Sequence, residues 1–185
     1  MSEQNEVENS LTETSSFEPS TDFVTNAIAK PGIYDQAKEN RLEFWAEKAR
    51  ELHWDKPFTE TLDFSNAPFA KWFADGELNV SYNCLDRHVE AGWGKRVALF
   101  FEGEPGDTQV YTYLGLLKAV KKAANVLIRM GIEPGDRVAI YMPMIPEAII
   151  AMQAVARVGA VHSVVFGGFS AESLASRIQD AQPRL

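Results

Sequence analysis

Polar residues crowd the first 29 positions, and after them the apolar residues fall into two rhythms, one of helices and one of strands. Residues 1–29 are rich in Ser, Thr, Glu and Asn, with few large apolar side chains. Such a stretch cannot bury enough surface to offset its ordering entropy, and is expected to be disordered. Over 34–50 the apolar residues Tyr34, Ala37, Leu42, Trp45 and Ala49 recur at helical spacing, with charged residues between them, which predicts one helix. From Trp54 to Phe73 the periodicity fades, while Phe58, Phe64, Phe69 and Trp72 accumulate around Pro57 and Pro68. Large aromatics without a regular element are expected to strap a loop over another surface; an exposed binding patch is the alternative.

Periodicity returns further along. Residues 85–91 predict a short helix with Asp86 near its start and Gly92 past its end. A buried-type strand over 97–101, a Gly-Pro-Gly turn over 102–107 and alternation over 109–113 predict a β-hairpin. Thr112 can then cap a long helix carrying Leu116, Leu117, Val120, Ala123, Ala124, Leu127 and Ile128, closed by Gly131. A turn at Pro134-Gly135-Asp136 leads to a strand over 138–141, then a helix with Pro146 in its first turn that stops at Gly159. A strand over 161–166, the pair Gly167-Gly168 and a helix capped by Ser170 follow. Strands and helices alternating through short connections predict an α/β fold of parallel βαβ units with right-handed crossovers. Another strand is expected next, so a sheet ending at Leu185 would leave an unpaired edge.

Composition narrows the function classes. With 45% hydrophobic and 11% aromatic residues, the 185-residue chain can bury a core. The net charge of −8 is concentrated at the start, where Glu3, Glu6, Glu8, Glu13, Glu18 and Asp22 precede the first basic residue, Lys30. The rest is nearly neutral and has no basic stripe, which argues against nucleic acid as a partner. Cys84 is the only cysteine, so no internal disulfide forms and a reducing compartment fits. The N-terminus has neither the positive nor the apolar region of a secretory signal. The most apolar stretch, 148–169, is interrupted by Gln153, Arg157, Gly159 and His162, which argues against a membrane span and for a cytoplasmic location.

Chemistry is sparse. The segment VVFGGFS, 164–170, leaves the carboxyl end of a parallel strand, passes two glycines and enters a helix through a cap. Ligands of open α/β sheets bind in such crevices, and the free amides of the helix start favour an anion; a plain tight turn is the other reading. Met142-Pro143-Met144-Ile145-Pro146 also follows a strand end, and is expected to be apolar packing beneath a loop. Cys84 and His88 share a helical spacing but offer too few ligands for a metal. His53, His88 and His162 form no catalytic pattern, and Asp86 and Arg87 read as capping and ion-pair residues. No run of Ser, Thr and Gly ends in Lys, so no phosphate-cradling loop is expected.

Two long motifs carry a resemblance. WFADGELNVSYNCLDRH (72–88) and GDRVAIYMPMIPEAIIAMQAVARVGAVHSVVFGGFS (135–170) resemble the acetyl-CoA synthetase family of AMP-forming, adenylate-forming acyl-CoA synthetases. Phe44, Trp45, Trp54, Phe58 and Trp72 are similar to that family's N-terminal extension. The resemblance spans about 33–185 and implies three parts: an acidic leader over 1–29, an irregular, partly helical extension over 30–92, and the incomplete start of the AMP-binding domain over 93–185. It implies a two-step reaction. Acetate attacks the α-phosphate of Mg2+-bound ATP to give acetyl-adenylate and pyrophosphate, then the CoA thiol displaces AMP. The phosphate loop, the metal site and the lysine that stabilise charge in the family match nothing here, so the resemblance implies no catalytic residue and no metal ligand in this chain. By the same resemblance Phe166, Gly167 and Gly168 lie beside the nucleotide end of CoA, and the arginines that meet the CoA phosphates come after a point equivalent to Leu185. The expectation is therefore an N-terminal fragment, inactive alone, binding neither ATP nor CoA tightly, whose partner is the missing remainder of its own chain. A propionyl-CoA synthetase fragment and a non-catalytic module that binds CoA or a protein are the alternatives.

Overall fold

The computed structural model describes residues 17–185, so the first 16 residues of the expected leader lie outside the described residues. The chain divides into two units, 1–45 and 46–185. In the first, a six-residue helix, α1 (Thr21–Asn26), replaces the expected disorder of the leader at those positions. Its cause is local. The Ser20 hydroxyl accepts the Phe23 amide, Asp22 sits in the first turn, and the Lys30 ammonium donates to the Val24 and Thr25 carbonyls at the far end.

The single helix expected over 34–50 is two, α2 (Gly32–Glu39) and α3 (Arg41–Arg50). Asn40 divides them, at φ −142° and ψ 76°. Its N–H closes α2 on the Gln36 carbonyl, and its side-chain oxygen accepts the Glu43 amide at 3.3 Å to open α3. An Asn that can bond its neighbours' backbone competes with the helix ladder, and here it wins.

In the second unit, part of the aromatic stretch gathers. Trp54, Phe58 and Phe73 lie with ring centroids 4.7–5.9 Å apart, and the Trp54 indole donates to the Ala49 carbonyl at 2.7 Å. Two-residue strands β1 (Leu62–Asp63) and β2 (Lys71–Trp72) pair antiparallel. Phe64 and Phe69, which flank Pro68, remain exposed rather than strapped down.

The helical segment expected over 85–91 runs from 80 to 93 and is wound mostly in wide π turns, Tyr82–Asp86 and Val89–Trp93. Gly92 lies inside the last turn rather than beyond it, at φ +84°, a conformation that favours glycine. Asn79 opens the segment by accepting the Tyr82 amide at 3.1 Å, while its amide nitrogen donates to the Ala156 and Arg157 carbonyls, each at 3.2 Å.

The hairpin forms as β3 (Val97–Glu102) and β4 (Thr108–Thr112). However, β3 is not buried on both faces: Phe100 is 75% exposed, opposite the exposed Val110. The Thr112 hydroxyl then accepts the Gly115 amide at 3.1 Å and caps α4 (Tyr113–Arg129). Leu116, Leu117, Val120 and Ala124 of α4 form a core with Leu85 and Ala154, as the spacing predicts, while Ile128 stays exposed.

A parallel pair, β5 (Arg137–Met142) and β6 (Val161–Phe166), is joined through α5 (Pro146–Arg157). Val138 and Ile140 of β5 pack with Ile132 and Val155 on the α5 side. Side chains alternate along a strand. Accordingly Arg137 and Tyr141 reach the other way: the Arg137 Nε donates to the Ala181 carbonyl of α6 (Ala171–Ala181), and the Tyr141 hydroxyl meets the Phe169 carbonyl just before it. α5 and α6 therefore flank β5 on opposite faces. The chain then returns to the free edge of β5, where the Arg184 amide donates to the Arg137 carbonyl and the Ala139 amide to the Leu185 carbonyl, both at 2.7 Å. Among the described residues the open edge of the pair is thus that of β6, and β5 is flanked on both sides.

Candidate functional site

Both loops singled out in the sequence meet at the carboxyl end of the parallel pair. Met142 and Phe166 are register partners, so the segments that follow them, 143–145 and 167–170, lie side by side. Gly167 is there because of that closeness. A Cβ on it would stand 3.0 Å from the Pro143 nitrogen and 3.1 Å from the Met142 carbonyl carbon and oxygen, inside normal contact. The room left by its missing side chain is filled by the chain's own backbone. A Cβ on Gly168 would lie 2.6 Å from the Phe166 ring. Neither glycine serves a left-handed conformation. The Tyr141 hydroxyl lies 3.1 Å from the Gly167 carbonyl and 2.8 Å from that of Phe169, and its proton can bind either. Ser170 accepts the Ser173 amide at 3.2 Å and caps α6 as the sequence predicts.

Beside this turn is an apolar cavity of about 480 Å3, walled by Phe101 of β3, Met142, Met144, Phe166, Phe169 and the α6 residue Arg177. Here the expectation for 142–146 is corrected. Met142 does pack against the β5 core and Pro146 is fully buried, but Met144, 81% exposed, stands in the wall of an open cavity. Phe166 and Phe169 meet edge to face with centroids 5.9 Å apart, and the Arg177 guanidinium sits 4.9 Å from the centre of the Phe169 ring. On the far side of Arg177 a second, polar groove runs along α6 past Ser170, Ser173, Ser176, Glu172 and Asp180.

The other candidates are dispersed. His88 stacks on Trp93 with 5.5 Å between centroids and lies 5.1 Å from Tyr113; burial, reinforced by the charge of Arg87, pushes its imidazole below the ordinary histidine value. His53 packs on Tyr82, and Cys84 is exposed. Among the described residues no three His, Cys, Asp or Glu side chains gather to hold a metal. Asp86 is an ion-pair residue, as read, but its partner comes from afar. Arg157, at the end of α5, grips it with two bonds of 2.6 and 3.0 Å, and the Lys121 ammonium of α4 lies 3.6 Å away. Burial alone would raise the Asp86 carboxyl, but the hydrogen-bonded Arg157 and then Lys121 outweigh it, holding it below the usual carboxylate range. Arg87 donates to the Glu51 carbonyl at 2.9 Å.

Sequence reasoning missed Tyr141, Phe169 and Arg177. Strand alternation could have assigned Tyr141 to the face away from α5. Helical spacing could have found Arg177, seven residues after the Ser170 cap and so on the same side of α6.

Residues 32–84 match the family described as acetyl-coenzyme A synthetase N-terminus, and residues 85–185 match the AMP-binding enzyme family. Among curated proteins, the acetyl-coenzyme A synthetase of Streptomyces avermitilis is 60% identical over 177 residues, 96% of this chain and 27% of that protein. Its counterpart in Streptomyces coelicolor is 62% identical over the same shares. That of Mycobacterium tuberculosis is 59% identical over 172 residues, 92% of this chain and 26% of its own length. The chain thus spans about a quarter of the length of the curated relatives it matches.

Proposed function

The chain belongs to the AMP-binding enzyme family, and from that premise we propose that it forms the first part of an AMP-forming acetate–CoA ligase. In that reaction an acetate oxygen attacks the α-phosphorus of ATP and pyrophosphate leaves; the CoA sulfur then attacks the acyl carbonyl and AMP leaves. What carries the reading is the unbroken succession of the two family matches, one of which takes its description from acetyl-coenzyme A synthetase. The geometry that supports it is a helix start and an open cavity at the carboxyl ends of parallel strands, the place where α/β sheets bind nucleotides.

Within that reading the structure's own residues have limited roles. Phe166, Gly167 and Gly168 form the wall against which the nucleotide end of CoA rests. The exposed Phe166 ring offers a stacking face, and Tyr141 steadies the turn by binding its carbonyls. The residues at hand do not fit Mg2+: no acidic trio is gathered among the described residues, so no step is assigned to the metal here. ATP and Mg2+ would be held by parts of a longer polypeptide, and the chain alone would bind neither ATP nor CoA tightly. Among the described residues no helix is long and apolar enough to cross a membrane. A cytoplasmic location for the working enzyme fits the lone, unpaired Cys84.

The test has two arms. The purified 185-residue chain is expected to show no acetate-dependent ATP–pyrophosphate exchange. A hybrid enzyme in which this chain replaces the matching quarter of the Streptomyces coelicolor relative is expected to make acetyl-CoA. Exchange by the chain alone would refute the division of labour. A folded hybrid with no ligase activity would refute the reading itself.

A further inference from the structure

Arg177 is the one residue that lines both the apolar cavity beside the glycine turn and the polar groove along α6. Its guanidinium lies 4.9 Å from the centre of the Phe169 ring and makes no ion pair among the described residues. Glu172 and Asp180 share its groove without pairing to it, although a carboxylate three residues along a helix is a natural partner. The cation is thus held by an aromatic face rather than neutralised by an acid. The ring orients the flat guanidinium and leaves its N–H edge free. That edge is a planar fork of donors, the geometry that grips phosphate oxygens.

We propose that Arg177 is an anion anchor for a phosphate group of the nucleotide thiol donor, gripping it across the mouth between cavity and groove while the apolar wall receives the donor's base. The assignment rests on the preceding reading of the glycine turn as a CoA-facing surface, and adds to it a charged contact on α6. Phe169 is the positioning residue: its ring fixes the guanidinium, and the edge-to-face contact with Phe166 fixes the ring. The two glycines matter indirectly, because they let the turn close tightly enough to bring Phe169 over the first turns of α6.

The test is a titration of the isotope-labelled 185-residue chain, held below the concentration at which sedimentation shows self-association and followed by nuclear magnetic resonance at millimolar ligand so that weak binding is read. CoA, 3′-dephospho-CoA and adenosine are added in turn. The expected result is a shift of the Arg177 side-chain Nε–H and of the Gly167 and Gly168 amides with CoA. Arg177→Gln is expected to weaken CoA binding by about fivefold, the worth of one exposed charge contact, and to leave adenosine binding unchanged. Arg177→Lys should recover part of the loss, since it keeps the charge but not the fork. If the Arg177 effect persists with 3′-dephospho-CoA, the anchored group is the diphosphate; if it vanishes, it is the 3′-phosphate. Glycine amides that respond while Arg177→Gln binds CoA like the parent would overturn the anchor and leave the CoA-facing turn standing. No response at any of these positions would overturn both. Far-ultraviolet circular dichroism of each variant separates lost binding from lost folding.

Discussion

At the residue scale the most consequential interaction joins Asp86 to Arg157. Asp86 is only 6% exposed, and removing Arg157 would leave its charge buried with Lys121 as its remaining neighbour. Arg157→Ala is therefore expected to cost about 3 kcal/mol in chemical denaturation; a loss under about 0.5 kcal/mol, the range of ordinary surface changes, would contradict it. The folded carboxyl titrates below its unfolded value, so its stabilisation is complete above about pH 4 and disappears as the pH falls through the folded pKa. Asp86→Asn should flatten that acid limb in melting experiments. His88 follows the same sign in a higher window. With its folded pKa depressed, stability is complete above about pH 6.5 and declines on acidification, a slope that His88→Phe should remove. Gly167→Ala places a methyl group against the Met142–Pro143 backbone and should lower stability by about 1–3 kcal/mol, with the loss read from the urea midpoint.

At the scale of elements, Asn79 serves two helices at once, capping the 80–93 segment and closing the last carbonyls of α5. Asn79→Ala is expected to cost about 2 kcal/mol, and Asn79→Asp, which keeps the acceptor and loses the two donors, roughly half of that. Equal losses for the two variants would show that the donors to the α5 carbonyls alone matter. This element also marks where sequence reading stops. The helices α4, α5 and α6 were legible because an apolar stripe agrees with start or stop signals: the Thr112 cap and Gly131 for α4, Pro146 in the first turn and Gly159 for α5, and the Ser170 cap for α6. The break at Asn40 was not, since the apolar spacing runs through it and only a local side-chain bond decides the matter. Wide turns at 82–93 were hidden for a similar reason: their winding depends on Asn79 and Asn83, which bond to distant carbonyls at Ala156 and His53. Phe100 misled because a strand with apolar residues on both sides reads the same whether or not its second face is covered. Of the site, the glycine turn was visible in the motif. The cation on Phe169 was not, because the two residues approach through the fold of the turn and not through a fixed spacing.

Across the molecule, apolar surface remains open in the 46–185 unit. Val161, Val164 and Phe166 on β6, Phe100 and Val110 on the hairpin, and Met144 all stand at 50% exposure or more. Together with the open edge of β6, they are expected to make the isolated chain bind a hydrophobic dye and self-associate as concentration rises, as measured by sedimentation. A monomer with a sharp melt and no dye signal would contradict this. The seam between the two family matches has a separate consequence. It falls between Cys84 and Leu85, in the middle of one helical segment whose first half holds Asn83 and whose second half holds Asp86. The border that sequence families draw is therefore not a hinge, and a cut there would sever that helix and its grip on α5. Gene shuffling among relatives should tolerate crossovers at exposed turns, such as that around Gly106, far better than at position 84.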